Sequence, residues 1–162
     1  MAFLGSGVVA GVPVPIIIFI VVAVVGYFVL NHTTFGRSVY AVGGNPVAAW
    51  LSGIRVQNIK FSVYVICGFT AALAGIIMLG RIMCASMAAG TGLLFDAISS
   101  VVIGGVSLFG GRGTVIGVII GVMIIGVINN GMNIMGLHPA LQSIAKGAVI
   151  FVAVAIDSTR RR

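Results

Sequence analysis

Charge is what this sequence has least of. Only 7% of its 162 residues are charged, and only two of those are acidic. A soluble globular domain carries roughly 25%, so a fold in water would expose broad apolar areas. The two acids, Asp96 and Asp157, stand at opposite ends of the second half, which excludes paired carboxylate acid–base work. With no glutamate, an H-E-x-x-H zinc site is impossible. G-x-S-x-G is absent. G-x-x-x-x-G-K-[ST] is absent as well, so no P-loop binds ATP here; Gly110-Gly111-Arg112-Gly113 lacks the Lys-Ser/Thr ending and reads as a turn. The two cysteines, Cys67 and Cys84, have neither C-x-x-C spacing nor histidine partners, which argues against a disulfide framework and a metal site. The opening MAFLGSGVVAG has no basic region of the kind a signal peptide needs. The expectation is a chain with no catalytic residue, no metal and no cofactor of its own.

What the sequence has is hydrophobicity, at 60% of residues, and 24 glycines. That composition predicts an integral membrane protein: an all-α, polytopic helix bundle of about five crossings, one of them a short broken helix. Residues 1–11 read as an exposed lead-in, residues 12–157 as the membrane domain, and residues 158–162 as a basic cytoplasmic tail. The spans are read at 12–30, 61–79, 96–109, 114–133 and 143–156, with a loop at 31–60. Pro13 and Pro15 open the first span, where a missing N–H matters least. The net charge of +7 invites a nucleic-acid reading, but the basic residues lie in short loops without interleaved aromatics, so no nucleic acid is expected. With loop 31–60 inside, Arg37, Arg55, Lys60, Arg112 and Arg160 to Arg162 are cytoplasmic while Arg81 and Lys146 are outside, seven against two. This bias obeys the positive-inside rule and puts the N-terminus outside. A re-entrant 96–109 would place the terminal arginines on the wrong side.

Small residues recur at helical spacing within the spans. Gly68, Ala71, Ala72 and Gly75 form one stripe, and Gly113, Gly117 and Gly121 another; such stripes let membrane helices pack closely. The 96–109 segment, ~14 residues or about 21 Å of helix, is too short for a ~30 Å hydrocarbon core. Gly104-Gly105 interrupts it, so it reads either as a discontinuous helix beside a pathway or as a short tilted one. Asn129, Asn130 and Asn133 face the aqueous end of their span or a polar cavity, the former being preferred. Gly104, Gly105 and Asn130 are the candidate pathway residues. Lys146 reads as a side chain that snorkels to the interface, His138 as a loop residue, and the methionines Met83 and Met87 as packing filler.

The longest polar stretch is Thr34–Lys60, and its middle is a recipe for a short helix. Asn45 serves as N-cap, Pro46 suits the first position, and Val47-Ala48-Ala49-Trp50-Leu51-Ser52 supplies about two turns. Gly53 provides a left-handed stop, and Gly43-Gly44 before it reads as a flexible turn. By local chemistry this is either a docking element or an ordinary surface loop.

The residues Thr34, Phe35-Gly36-Arg37, Tyr40-Ala41, Gly43-Gly44-Asn45, Ala48-Ala49 and Ser52-Gly53-Ile54 resemble the cytoplasmic loop of the permease subunits of bacterial ABC monosaccharide importers. That branch takes ribose, xylose, arabinose and galactose, and autoinducer-2 permeases share it. Val102 to Leu108, Gly110 to Gly113 and Asn130-Gly131 extend the resemblance over nearly all of residues 12–157. Family members are longer, and this chain matches their C-terminal half, so it reads as a fragment or one piece of a split permease. The resemblance implies a multi-pass protein of the bacterial cytoplasmic (inner) membrane that is not itself an enzyme. Its implied partners are a separate ABC ATPase, a periplasmic or lipid-anchored sugar-binding protein, a second permease copy and the lipid. The implied ATPase-coupling residues are Arg37, Gly43, Gly44, Asn45, Pro46, Ala48, Ala49, Ser52 and Gly53. Nucleosides or branched-chain amino acids as substrates, a stand-alone carrier, and a structural membrane remnant are the rival readings.

Overall fold

The structure is a computed structural model that describes residues 7–9, 11–82, 90 and 92–159. The fold is an all-α membrane fold, and the chain divides into two units, residues 1–89 and 90–162. The Met83–Met87 pair, Cys84 and the arginines of the tail lie outside the described residues.

The first unit opens on a small hairpin. Strand β1 (Val8–Val9) pairs antiparallel with β2 (Val12–Pro13), with Val9 opposite Val12. Gly11 takes φ +83° in the connecting turn, a backbone conformation that glycine adopts without steric cost. The lead-in is therefore partly ordered, and the first helix begins two residues later than the hydrophobic run. Helix α1 (Val14–His32) starts where Pro13 stands as N-cap and Pro15 lies in the first turn. It ends at Thr33, whose Oγ1 donates to the Val29 carbonyl at 2.6 Å and accepts from the Gly36 N–H at 3.2 Å. One hydroxyl thus closes α1 and caps α2 (Thr34–Gly44). Gly36 is buried in this bend, where a Cβ would collide with the Leu30 backbone.

After α2 come α3 (Pro46–Leu51) and α4 (Val56–Ile82). The 31–60 loop is thus mostly helical. Gly43 and Gly44 form the last turn of α2 rather than a flexible turn, because the Asn45 N–H bonds the Ala41 carbonyl and Gly44 keeps a helical backbone. Helix α4 begins well before Phe61, since Gln57, Asn58 and Lys60 carry no helix-breaking residue among them. Its 27 residues cover about 40 Å, so its polar start projects beyond a ~30 Å core.

In the second unit, α5 (Leu93–Ile103) is followed by α6 (Val115–Ile134) and α7 (Pro139–Thr159). Helix α5 begins earlier than the segment read from the sequence and stops at Gly104-Gly105, with Gly105 at φ +79°. It packs antiparallel to α6. A Cβ on Gly104 would strike the Gly117 carbonyl, one on Gly117 the Gly104 carbonyl, and one on Gly121 the Ser100 carbonyl. Gly113 precedes α6 and faces the Val106 side chain instead. In α4, a Cβ on Gly68 or Gly75 meets nothing within 4 Å, so that stripe is open within its own unit.

Among the described residues α1, α4 and α6 are long and apolar enough to cross a membrane. Large apolar side chains point outward along them, including Phe61, Tyr64, Phe69, Met123 and Val127. That surface belongs in hydrocarbon, where only structures with internally satisfied backbones are viable. Gly121→Leu is expected to force α5 from α6 and to cost roughly 1–3 kcal/mol. Gly126→Ala, with nothing within 4 Å of its Cβ, is expected to be silent. Thermal unfolding in detergent measures both.

Candidate coupling site

The short helix α3 is built almost entirely by its own ends. Asn45, extended at φ −152° and ψ 100°, accepts from the Val47 and Ala48 N–H groups through Oδ1, both at 3.0 Å. Pro46 fills the next position, where no N–H is needed. At the far end the Gly53 N–H donates to the Trp50 carbonyl and the Ile54 N–H to the Ala49 carbonyl, with Gly53 at φ +81°. This pair of bonds is the Schellman closure. The Ser52 hydroxyl adds a bond to the Ala48 carbonyl at 2.9 Å.

Such tight ends fix the rotation of two turns of helix. Ala49 faces inward and is 4% exposed, whereas Val47, Trp50 and Leu51 face outward at 66%, 67% and 73%. Ala48 lies on the outer side with them. The sequence-predicted coupling residues therefore part ways. Ala49 seats the helix on its own unit; Asn45, Pro46, Ser52 and Gly53 shape its ends; Ala48 belongs to the outer surface. Gly43 and Gly44 lie in α2, and Arg37 is exposed on that helix, away from the α3 caps in sequence. Beside α3 an open hollow of about 550 Å³ is lined by Pro46, Val47 and Trp50 and by Arg55 to Asn58 at the start of α4. It combines an apolar wall with one guanidinium and two amides. Trp50 and Leu51 were read from the sequence as part of the short helix and not named among its coupling residues; a lone tryptophan in the most polar loop of an apolar chain was the available signal of an outward aromatic face.

The candidate pathway residues lie in the second unit. Gly104 is packed against Gly117, which leaves no open space at its Cα, and Asn130 is exposed on α6. Asn133 accepts from Gln142 Nε2 at 3.0 Å, and the Asn129 Oδ1 is buried without a partner. Lys146 does not snorkel freely: its Nζ pairs with Asp96 Oδ1 at 2.5 Å, with 11% of the lysine side chain exposed. His138 has a structural task, its Nδ1 accepting the Ala140 N–H at the start of α7.

A family described as the permease component of branched-chain amino acid transport systems matches residues 1–154. The chain belongs to this permease family. It is 46% identical over 157 residues to the ribose import permease protein RbsC of Escherichia coli K12, covering 97% of this chain and 49% of that protein. RbsC of Bacillus subtilis is 45% identical over 153 residues, 94% of this chain and 48% of the relative. The xylose transport system permease protein XylH of Haemophilus influenzae is 42% identical over 152 residues, 94% and 40% respectively. The chain thus spans about half the length of the curated relatives it matches, or less. No solved structure matches it. Membership in a permease family and three membrane-length helices make it a multi-pass membrane protein.

Asn45→Ala removes the acceptor of two helix-end N–H groups and is expected to cost α3 about 1 kcal/mol, roughly a fivefold change in local opening. Amide hydrogen exchange at residues 47–51 should quicken by that factor while α4 is unchanged.

Proposed function

We propose that this chain is a membrane-spanning permease subunit, corresponding to the C-terminal half of longer family members, of an ATP-driven importer that carries a monosaccharide into the cell. The observation that carries the reading is α3: a helix of six residues, closed at both ends and displaying Val47, Trp50 and Leu51 beside the Arg55 hollow. An apolar and aromatic patch with a guanidinium at its rim suits a protein partner more than solvent. In this reading a cytoplasmic ATPase closes on nucleotide and pushes α3. Because Ala49 seats α3 on its own unit, that push is passed to the neighbouring helices, and the spans rock between inward and outward openings. ATP is bound by the partner, so this chain needs no cofactor and performs no hydrolysis.

The sugar is proposed from the ribose and xylose permeases to which the chain is similar. The description of the family favours a second substrate class, branched-chain amino acids. Competition of labelled ribose uptake by unlabelled ribose, but not by leucine, separates them. Further partners in this reading are a second permease copy, which completes the pathway, and a periplasmic or lipid-anchored binding protein, which delivers the solute. The location is the bacterial cytoplasmic membrane, with α1, α4, α6 and α7 crossing it, the short α5 reaching only part of the way, and α3 inside.

Trp50→Ala and Leu51→Asp are expected to lower transport-coupled ATP hydrolysis at least about tenfold, the loss of a typical interface hot spot, with insertion intact. Ala49→Glu buries a charge instead and is expected to reduce the amount of folded protein. ATPase assays and detergent-extractable yield, measured on the same membranes, tell the two outcomes apart. Full coupling in Trp50→Ala and Leu51→Asp together would remove the docking role from α3.

A further inference from the structure

Helix α5 has 11 residues, about 16 Å of rise, and α6 has 20, about 30 Å. The antiparallel crossing sets Gly104 against Gly117 and Ser100 against Gly121. One further turn along both helices brings Asp96 level with Ile125, which is buried at the middle of α6. Helix α5 therefore runs beside only one half of α6, and its N-terminal end lies at the level of mid-span. Its C-terminal end is locked by backbone packing on Gly117 and Gly121. Its N-terminal end begins at Gly92, φ +93°, with no side-chain cap.

We propose that Asp96 and Lys146 are a positioning pair that fixes this mid-depth end of α5 against α7. The 2.5 Å contact is the one ion pair among the described residues, and it joins two charges within an apolar unit. An intramembrane charge is expensive and is held by its partner. Apolar side chains cannot do the same work, because between lipid-facing helices there is no hydrophobic force to favour one register. No other polar tie is seen at this end among the described residues: Ser99 Oγ and Asn129 Oδ1 are buried without partners, and the Ser100 hydroxyl bonds back to the Asp96 carbonyl at 2.7 Å. Helix α7 is itself anchored one turn earlier, where Gln142 Nε2 donates to Asn133 Oδ1 on α6. Lys146 thus transmits the position of α6 to the free end of α5. The consequence for transport rests on the permease reading above; the pairing itself does not.

The test compares Asp96→Ala, Lys146→Ala, the swap Asp96→Lys with Lys146→Asp, and the apolar pair Asp96→Leu with Lys146→Met. All are made in the full chain in membranes of its native cell, with labelled D-ribose as the probe. Each single variant is expected to lower the folded-to-unfolded ratio about a hundredfold or more, since a buried charge is left alone. The swap should restore most of it. The apolar pair should fold like the wild type yet lose about tenfold or more in maximal uptake rate, at unchanged half-saturation. Wild-type uptake by the apolar pair would overturn the positioning role, as would single variants that fold normally. A raised half-saturation at full rate would also overturn it, pointing to solute contact. If even the wild type takes up no ribose, the transport reading fails while the unfolding comparison still judges the pair.

Discussion

A helix end leaves up to four backbone groups without intrahelical partners, so each reversal of this chain must satisfy its own. An unpaired carbonyl in hydrocarbon costs several kcal/mol, and the sequence answers three times with the same device. After α3, α5 and α6 the chain turns through Gly53, Gly105 and Gly136, all at positive φ, and in each case the next residue donates back across the last turn. The donors are Ile54 to Ala49, Val106 to Val101 and Leu137 to Met132. Beginnings are handled by side chains: Thr33, Asn45, Thr114 and His138 each accept a backbone N–H of the helix that follows. Little polarity is needed when most of it is placed at the ends, which is how a chain with 7% charged residues folds at all.

The same economy explains what could be read in advance. Asn45-Pro46 and Gly53 are local instructions, so the α3 ends were legible. The apolar runs gave every long helix, with bounds off by a few residues wherever polar residues such as Gln57 and Asn58 joined the helix without breaking it. Gly43-Gly44 misled, because glycine permits a turn and does not impose one; the Asn45 N–H bond to Ala41 decides the matter. The hairpin at Val8–Pro13 was too short to leave a period-two pattern.

Tertiary facts were out of reach for a different reason. Ala48 and Ala49 are identical in composition terms, and only the seat of α3 on its own unit separates the outward one from the inward one. Asp96 and Lys146 lie far apart in the chain, and each alone reads as an anomaly to be excused. Taken together, the one acid of α5 and the one base of α7 form a matched set within the same unit. Their net charge is zero, which reconciles Lys146 with an apolar helix better than snorkelling does.

Trp50 is the one tryptophan in the chain, and it stands on the outward face of α3. Indole emission from the purified chain therefore originates at a single point. Its colour reports how wet that helix is, free of background from the membrane spans, whose aromatic residues are phenylalanine and tyrosine. The protein carries an intrinsic optical probe on the face proposed above for docking, and no label has to be added to read it.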